Sequence, residues 1–157
     1  LALVVFCSIS VLLLLSYSVT KRRLHLFERI VIWVFVLLLQ NNFIWMMGLN
    51  YKLVELSHHW LQFLVYDSIR SIIVPICMML YLELHEYLDR KRTKGLIGVL
   101  FIMGFVGIEY LAEWLGVLSH SGNWSVWYSV ANWVFNVLLT LLVFKRIRFM
   151  ARKEVTI

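Results

Sequence analysis

The sequence predicts an all-α fold: a polytopic integral membrane bundle of five transmembrane helices, with the amino terminus outside and the carboxyl terminus inside. Three observations predict it. Of the 157 residues, 62% are apolar and only 15% charged, whereas soluble domains are roughly half apolar and about a quarter charged. Five stretches, at about 2–20, 30–49, 65–84, 96–117 and 125–144, each supply the ~20 mostly apolar residues a helix needs to cross a ~30 Å hydrocarbon core. Thirteen of the fifteen Lys and Arg residues fall at alternate ends of those stretches, as cytoplasmic flanks do. They are Lys21, Arg22, Arg23 and Arg29, then Arg90, Lys91, Arg92 and Lys94, then Lys145, Arg146, Arg148, Arg152 and Lys153. Short connections without repeats or linker composition predict a single transmembrane domain over 1–157, ending in a basic cytoplasmic tail at 145–157. The net charge of +6 is divided among three membrane flanks with no recognition element attached, which argues against nucleic acid as a partner.

The first span carries only scattered Ser, Tyr and Thr, and its charges follow it, as in an uncleaved anchor. Span two holds Gln40, Asn41 and Asn42; consecutive helical residues point in different directions, so at most two of these amides can face one cavity. Before span three, "LVELSHHWLQFLV" reads as a short interfacial helix. Glu55, His58, His59 and His120 lack any recognised metal-ligand spacing, so no metal site is assigned.

Span three places Asp67 and Arg70 one turn apart, above the chain's only proline, Pro75. A lone guanidinium inside the bilayer costs about 2.5–3.5 kcal/mol on insertion scales, so Arg70 requires a partner, and Asp67 shares its helix face. The alternative is that both charges reach up into headgroups. Pro75 removes a backbone donor and crowds the carbonyl of Ser71, which predicts a bend below the pair. At the inner end of this span, Glu86 and Arg90 have the spacing of a surface helix pair.

Span four carries Glu109, Ala112, Glu113 and Gly116 on one small, acidic face that should turn into the bundle, with Glu109 as a counter-ion for Arg70. Gly95, Gly98, Gly104 and Gly107 read as sites of close helix approach. Span five carries Ser125, Ser129, Asn132, Asn136 and Thr140, a polar seam read first as interhelical glue and second as a cavity lining. Trp45, Trp60, Trp114, Trp124 and Trp127 form an interfacial belt, and "SHSGNWSVW" is a candidate lid. The tail "KRIRFMARKEVTI" suits anionic headgroups. Cys7 and Cys77 read as separate buried thiols.

Together Asp67, Arg70, Glu109, Glu113, Asn132, Asn136, Asn41 and Gln40 form one polar layer in the outer half of the bundle, a candidate ligand or proton site. No phosphate loop, nucleophile elbow or zinc motif is present, so no catalytic residue and no cofactor are assigned.

Five short spans, an Asp and an Arg near the outer start of span three ahead of Pro75, an acidic "IEYLAEW", a Trp-rich outer loop and a basic tail resemble a family of small uncharacterised membrane proteins of endospore-forming Firmicutes. The resemblance implies a bacterial plasma membrane and brings no activity with it. The leading expectation is a structural or accessory membrane protein that binds the lipid bilayer and either another membrane protein or a second copy of itself. A small solute- or proton-binding transporter component or sensor is the alternative. An intramembrane lipid-modifying enzyme, with Glu109 and Glu113 as acid and base, is the third.

Overall fold

The structure, a computed structural model, describes residues 1–20, 24–51, 53–56, 59–122 and 124–154. Lys21, Arg22, Arg23, Lys52 and His58 fall outside those residues, as do the side chains of Arg152 and Lys153. Five helices are long and apolar enough to cross a membrane: α1 (Ala2–Val19), α2 (Leu26–Ile44), α3 (Trp60–Tyr87), α4 (Lys91–Trp114) and α5 (Val126–Glu154). Helices α2, α3, α4 and α5 close a ring in which each packs on its neighbours, and α1 lies outside it along α3.

Local chemistry sets the helix boundaries. In α1, Ser8, Ser10 and Ser16 return their hydroxyl protons to the carbonyl one turn back, each at 2.8 Å, which satisfies them without water or a neighbouring helix. Most of the apolar surface of α1 is exposed, including Val4, Val11, Leu12 and Leu15, as expected of a helix solvated by lipid. Helix α2 begins earlier than the hydropathy predicts because His25 and Glu28 form a reciprocal cap, the His25 N–H donating to Glu28 at 2.9 Å. Helix α4 stops at Trp114 instead of running to 117. Gly116 adopts φ 72°, its N–H donates to the Glu113 carbonyl and that of Val117 donates to Ala112, both at 2.9 Å. This left-handed glycine cap ends the helix and turns the chain back.

A further expectation is corrected. The stretch before span three is not an interfacial helix. Its first part is strand β1 (Val54–Leu56), paired antiparallel with β2 (Leu118–His120) in register Val54 to His120, and its last part joins α3 from Trp60. Pairing gives both connections backbone partners at one end of the bundle, so the fold is all-α except for this clasp. At Pro75, α3 accommodates the missing donor by widening: residues Ile69–Ile73 form a π-type turn, with the Val74 N–H donating to the carbonyl of Ile69 five residues back.

Packing inside the ring is aromatic and dense. Phe105 stacks on Trp133 with centroids 4.6 Å apart. Tyr81 approaches Gly98, where an added Cβ would sit 3.5 Å from its hydroxyl. The other three glycines assigned to close approach, Gly95, Gly104 and Gly107, face open space instead. Cys77 is buried, but Cys7 is exposed on α1, and both are free.

Candidate functional site

The ion pairs gather at the two ends of the bundle. At the β end, Glu109 on α4 is only 10% exposed, and three donors converge on its carboxylate. Trp133 Nε1 donates to Oε2 at 2.8 Å, Ser129 Oγ donates to Oε1 at 2.9 Å, and His120 Nε2 lies 3.1 Å from Oε1. His120, at the end of β2, is 5% exposed, and its other ring nitrogen lies 2.9 Å from Glu113 Oε2. That second contact is an ion pair out of line for a hydrogen bond, and Nδ1 has no aligned acceptor. The indole of Trp124 stacks on the imidazole, centroids 4.7 Å apart and planes 15° from parallel, and donates to Ser129 at 3.0 Å.

A histidine between two carboxylates is best matched as imidazolium, its positive charge shared between the two acids. Burial alone would lower its proton affinity, but the hydrogen bond to Glu109 and the close carboxylate of Glu113 together outweigh burial and hold His120 above the ordinary histidine value. With His120 charged, the trio carries one surplus negative charge.

Beside it stands a second ionic unit. Arg70, in the widened turn of α3, pairs with Asp67 at 2.6 Å and donates through its other terminal nitrogen to Asn41 Oδ1 on α2. Its Nε is buried without a partner among the described residues. Arg70 and Glu109 do not form a pair, contrary to the sequence expectation; each has a nearer counter-ion on its own side of a small cavity. That cavity, about 50 Å³, is lined by both of them with Gln40, Tyr66, His120 and Trp133, and otherwise by apolar side chains. It has room for a few water molecules.

The three consecutive amides separate as helix geometry requires. Asn41 meets Arg70, Gln40 Nε2 lies 3.4 Å from Asn136 Oδ1, and Asn42 points away from the cavity and is exposed. Along α5, Asn136 donates to the carbonyl and side-chain oxygens of Asn132 at 2.8 and 2.9 Å, and Thr140 donates to the Asn136 carbonyl. Ser129, Asn136 and Thr140 are buried and Ser125 is exposed. Asn132 lines a separate groove with Asn42, so it does not join the layer around Glu109. Trp45, Trp60, Trp114 and Trp127 are strongly exposed, as belt residues would be, whereas Trp124 belongs to the site.

At the opposite, basic end, Arg148 on α5 bonds Glu28 on α2 at 3.1 Å, pairs with Glu86 on α3, and lies 4.5 Å over the Phe144 ring. Glu83, 2% exposed, accepts from the Leu24 N–H at 3.3 Å. Two expectations change here. Arg148 is not a lipid-facing tail residue, and Glu86 does not pair along its helix with Arg90, because α3 ends at Tyr87 and Leu88 is extended.

The sequence reading missed His120 as a site residue. The available signal was Gly116 directly after the Glu109 and Glu113 face: a glycine that reverses the chain brings the next polar residues back over that face. Among the described residues, no group of three or more His, Cys, Asp or Glu is arranged to hold a metal ion. No protein family, characterised protein or solved structure matches the chain.

Proposed function

We propose that the protein is a multi-pass accessory protein of a bacterial plasma membrane. In this reading its amino terminus and β end face outward, and it works by holding helix faces in place for a membrane partner. One observation carries the reading: the charged groups that line the cavity, Arg70, Glu109 and His120, each have an opposite charge within bonding distance, and the space between them is about 50 Å³. Such a layer holds four helices and a clasp in register, and it leaves too little room for a solute. The orientation rests on the segregation of Lys and Arg, which places Glu28, Glu86 and Arg148 on the cytoplasmic side. Reconstituted liposomes test the function. We expect ion and small-solute flux equal to that of protein-free vesicles; flux that falls in Arg70→Ala and Glu109→Gln would overturn the accessory reading in favour of transport.

A second reading, a membrane sensor that binds protons, is favoured by the placement of His120 between two carboxylates. Its test is a titration of the His120 ring by nuclear magnetic resonance. A change in the β1–β2 pairing that follows the ring's protonation supports sensing, and unchanged pairing removes it.

A further inference from the structure

On the lipid-exposed side of α2 and α5 lies a groove of about 300 Å³ whose lining includes Asn42, Met46, Tyr128, Asn132, Phe135 and Asn136. It contains no charged side chain. Its depth follows from the two flanking tryptophans. Asn42 lies one turn inside Trp45, and Asn132 lies five residues inside Trp127, two side chains that are 64% and 77% exposed. Both amides therefore sit about 5–8 Å toward the bilayer centre from the level where tryptophans anchor.

The hydrogen-bond count of these amides is incomplete. Asn132 accepts twice from Asn136, but its own NH₂ donates to nothing among the described residues, and the exposed Asn42 side chain makes no hydrogen bond there. Acyl chains offer neither donor nor acceptor, and an amide left facing them loses the hydration it had in water. Headgroup oxygens lie at the level of the tryptophans, a turn or more outside both amides. The missing partner is therefore a polar group on another helix at this depth.

We propose that this groove is the interface with a second copy of the same chain, held by amide–amide hydrogen bonds centred on Asn42. An amide is donor and acceptor at once, so Asn42 opposite Asn42 across a two-fold axis satisfies both copies with one patch. A charged partner would find no counter-charge in the groove. Met46, Tyr128 and Phe135 supply adaptable apolar and aromatic contact around the bond, where dispersion drives association in place of the hydrophobic effect. The inference rests on the partner-binding reading above and names the partner.

Disulfide trapping in proteoliposomes tests it. Leu38, one turn from Asn42 on the same face and 55% exposed, is changed to Leu38→Cys in a Cys7→Ser background; the control, Met103→Cys, places the thiol on α4 at a site 67% exposed. Mild oxidation should give cross-linked dimer from the Leu38 variant and only collisional background from the control. Adding Asn42→Leu should lower the dimer yield about tenfold, as the loss of two symmetric amide bonds implies, and Asn42→Gln should restore most of it. Phe135→Ala, on the opposite wall, should weaken dimerisation without touching the amides. Equal yields from Leu38→Cys and Met103→Cys, or a dimer indifferent to Asn42→Leu in protein with an unchanged thermal transition, would overturn the proposal and leave the groove to lipid. Flux is measured separately, so a dimer that conducts would refute the accessory reading alone, and a silent monomer would refute this interface alone.

Discussion

The two ends of the bundle solve one problem, a buried carboxylate, with different cations. At the basic end, Glu28, 3% exposed, is neutralised by Arg148, whose guanidinium stays charged at any physiological pH. At the β end, Glu109 is neutralised by His120, whose charge is conditional. The first end ties three helices by their side chains alone; the second ties a helix to a strand in a connecting segment. One end is thus a permanent joint, and the other is a joint whose strength depends on a proton.

The largest expected effect comes from removing the permanent cation. Arg148→Met leaves Glu28 buried against an apolar replacement, a change that costs about 3–5 kcal/mol when one member of a buried pair is lost. A thermal or denaturant unfolding series in detergent should show it as the largest loss of any variant discussed; a loss below that of Glu109→Ala would reverse the ranking of the two ends. Glu109→Ala strands the donors on Trp133, Ser129 and His120, and about 2–4 kcal/mol is expected. Glu109→Gln should lose less, because it still accepts from Trp133 or Ser129.

The pH dependence sharpens the contrast. The folded protein holds His120 above its ordinary 6.5, so the stabilisation from its charge is complete below pH 6.5 and is lost as pH rises through the raised value. The groups facing His120 are Glu109 and Glu113 from α4, with Trp124, Tyr110 and the hydroxyl of Ser129 nearby. The unfolding midpoint of the native protein should therefore fall from about pH 6.5 upward, and that of His120→Gln should stay flat across the same range. Equal slopes in the two proteins would show that the β end does not titrate through this residue. The smallest effect is expected at Gly116→Ala. A φ of 72° disfavours any Cβ, and the new methyl would meet Gln62 at 3.4 Å, so a loss of about 1 kcal/mol is expected, read as lower stability with the His120 titration displaced.

Much of the fold was legible because long apolar runs leave a chain few options. Every backbone polar group needs an internal partner, so long apolar runs become helices, and the five runs in the sequence match the five helices. The Asp67 and Arg70 contact followed from spacing alone, since residues three apart share a helix face. The partner of Glu109 did not follow. His120 lies eleven residues away through a turn, and only the left-handed Gly116 and the strand pairing with Val54 bring it back. The role of Arg148 was hidden for the same reason: its partners, Glu28 and Glu86, are 120 and 62 residues distant in sequence. Gly104 and Gly107 were misread because a glycine shows that a neighbour can approach and not that one does.

By itself, the sequence determined the number of long apolar helices and their approximate limits, because those follow from hydropathy and a rise of about 1.5 Å per residue. Tertiary structure decided which charges meet. A pairing depends on how each helix is rotated about its axis and on how the connections fold back, and both are set by side-chain packing among residues far apart in the chain.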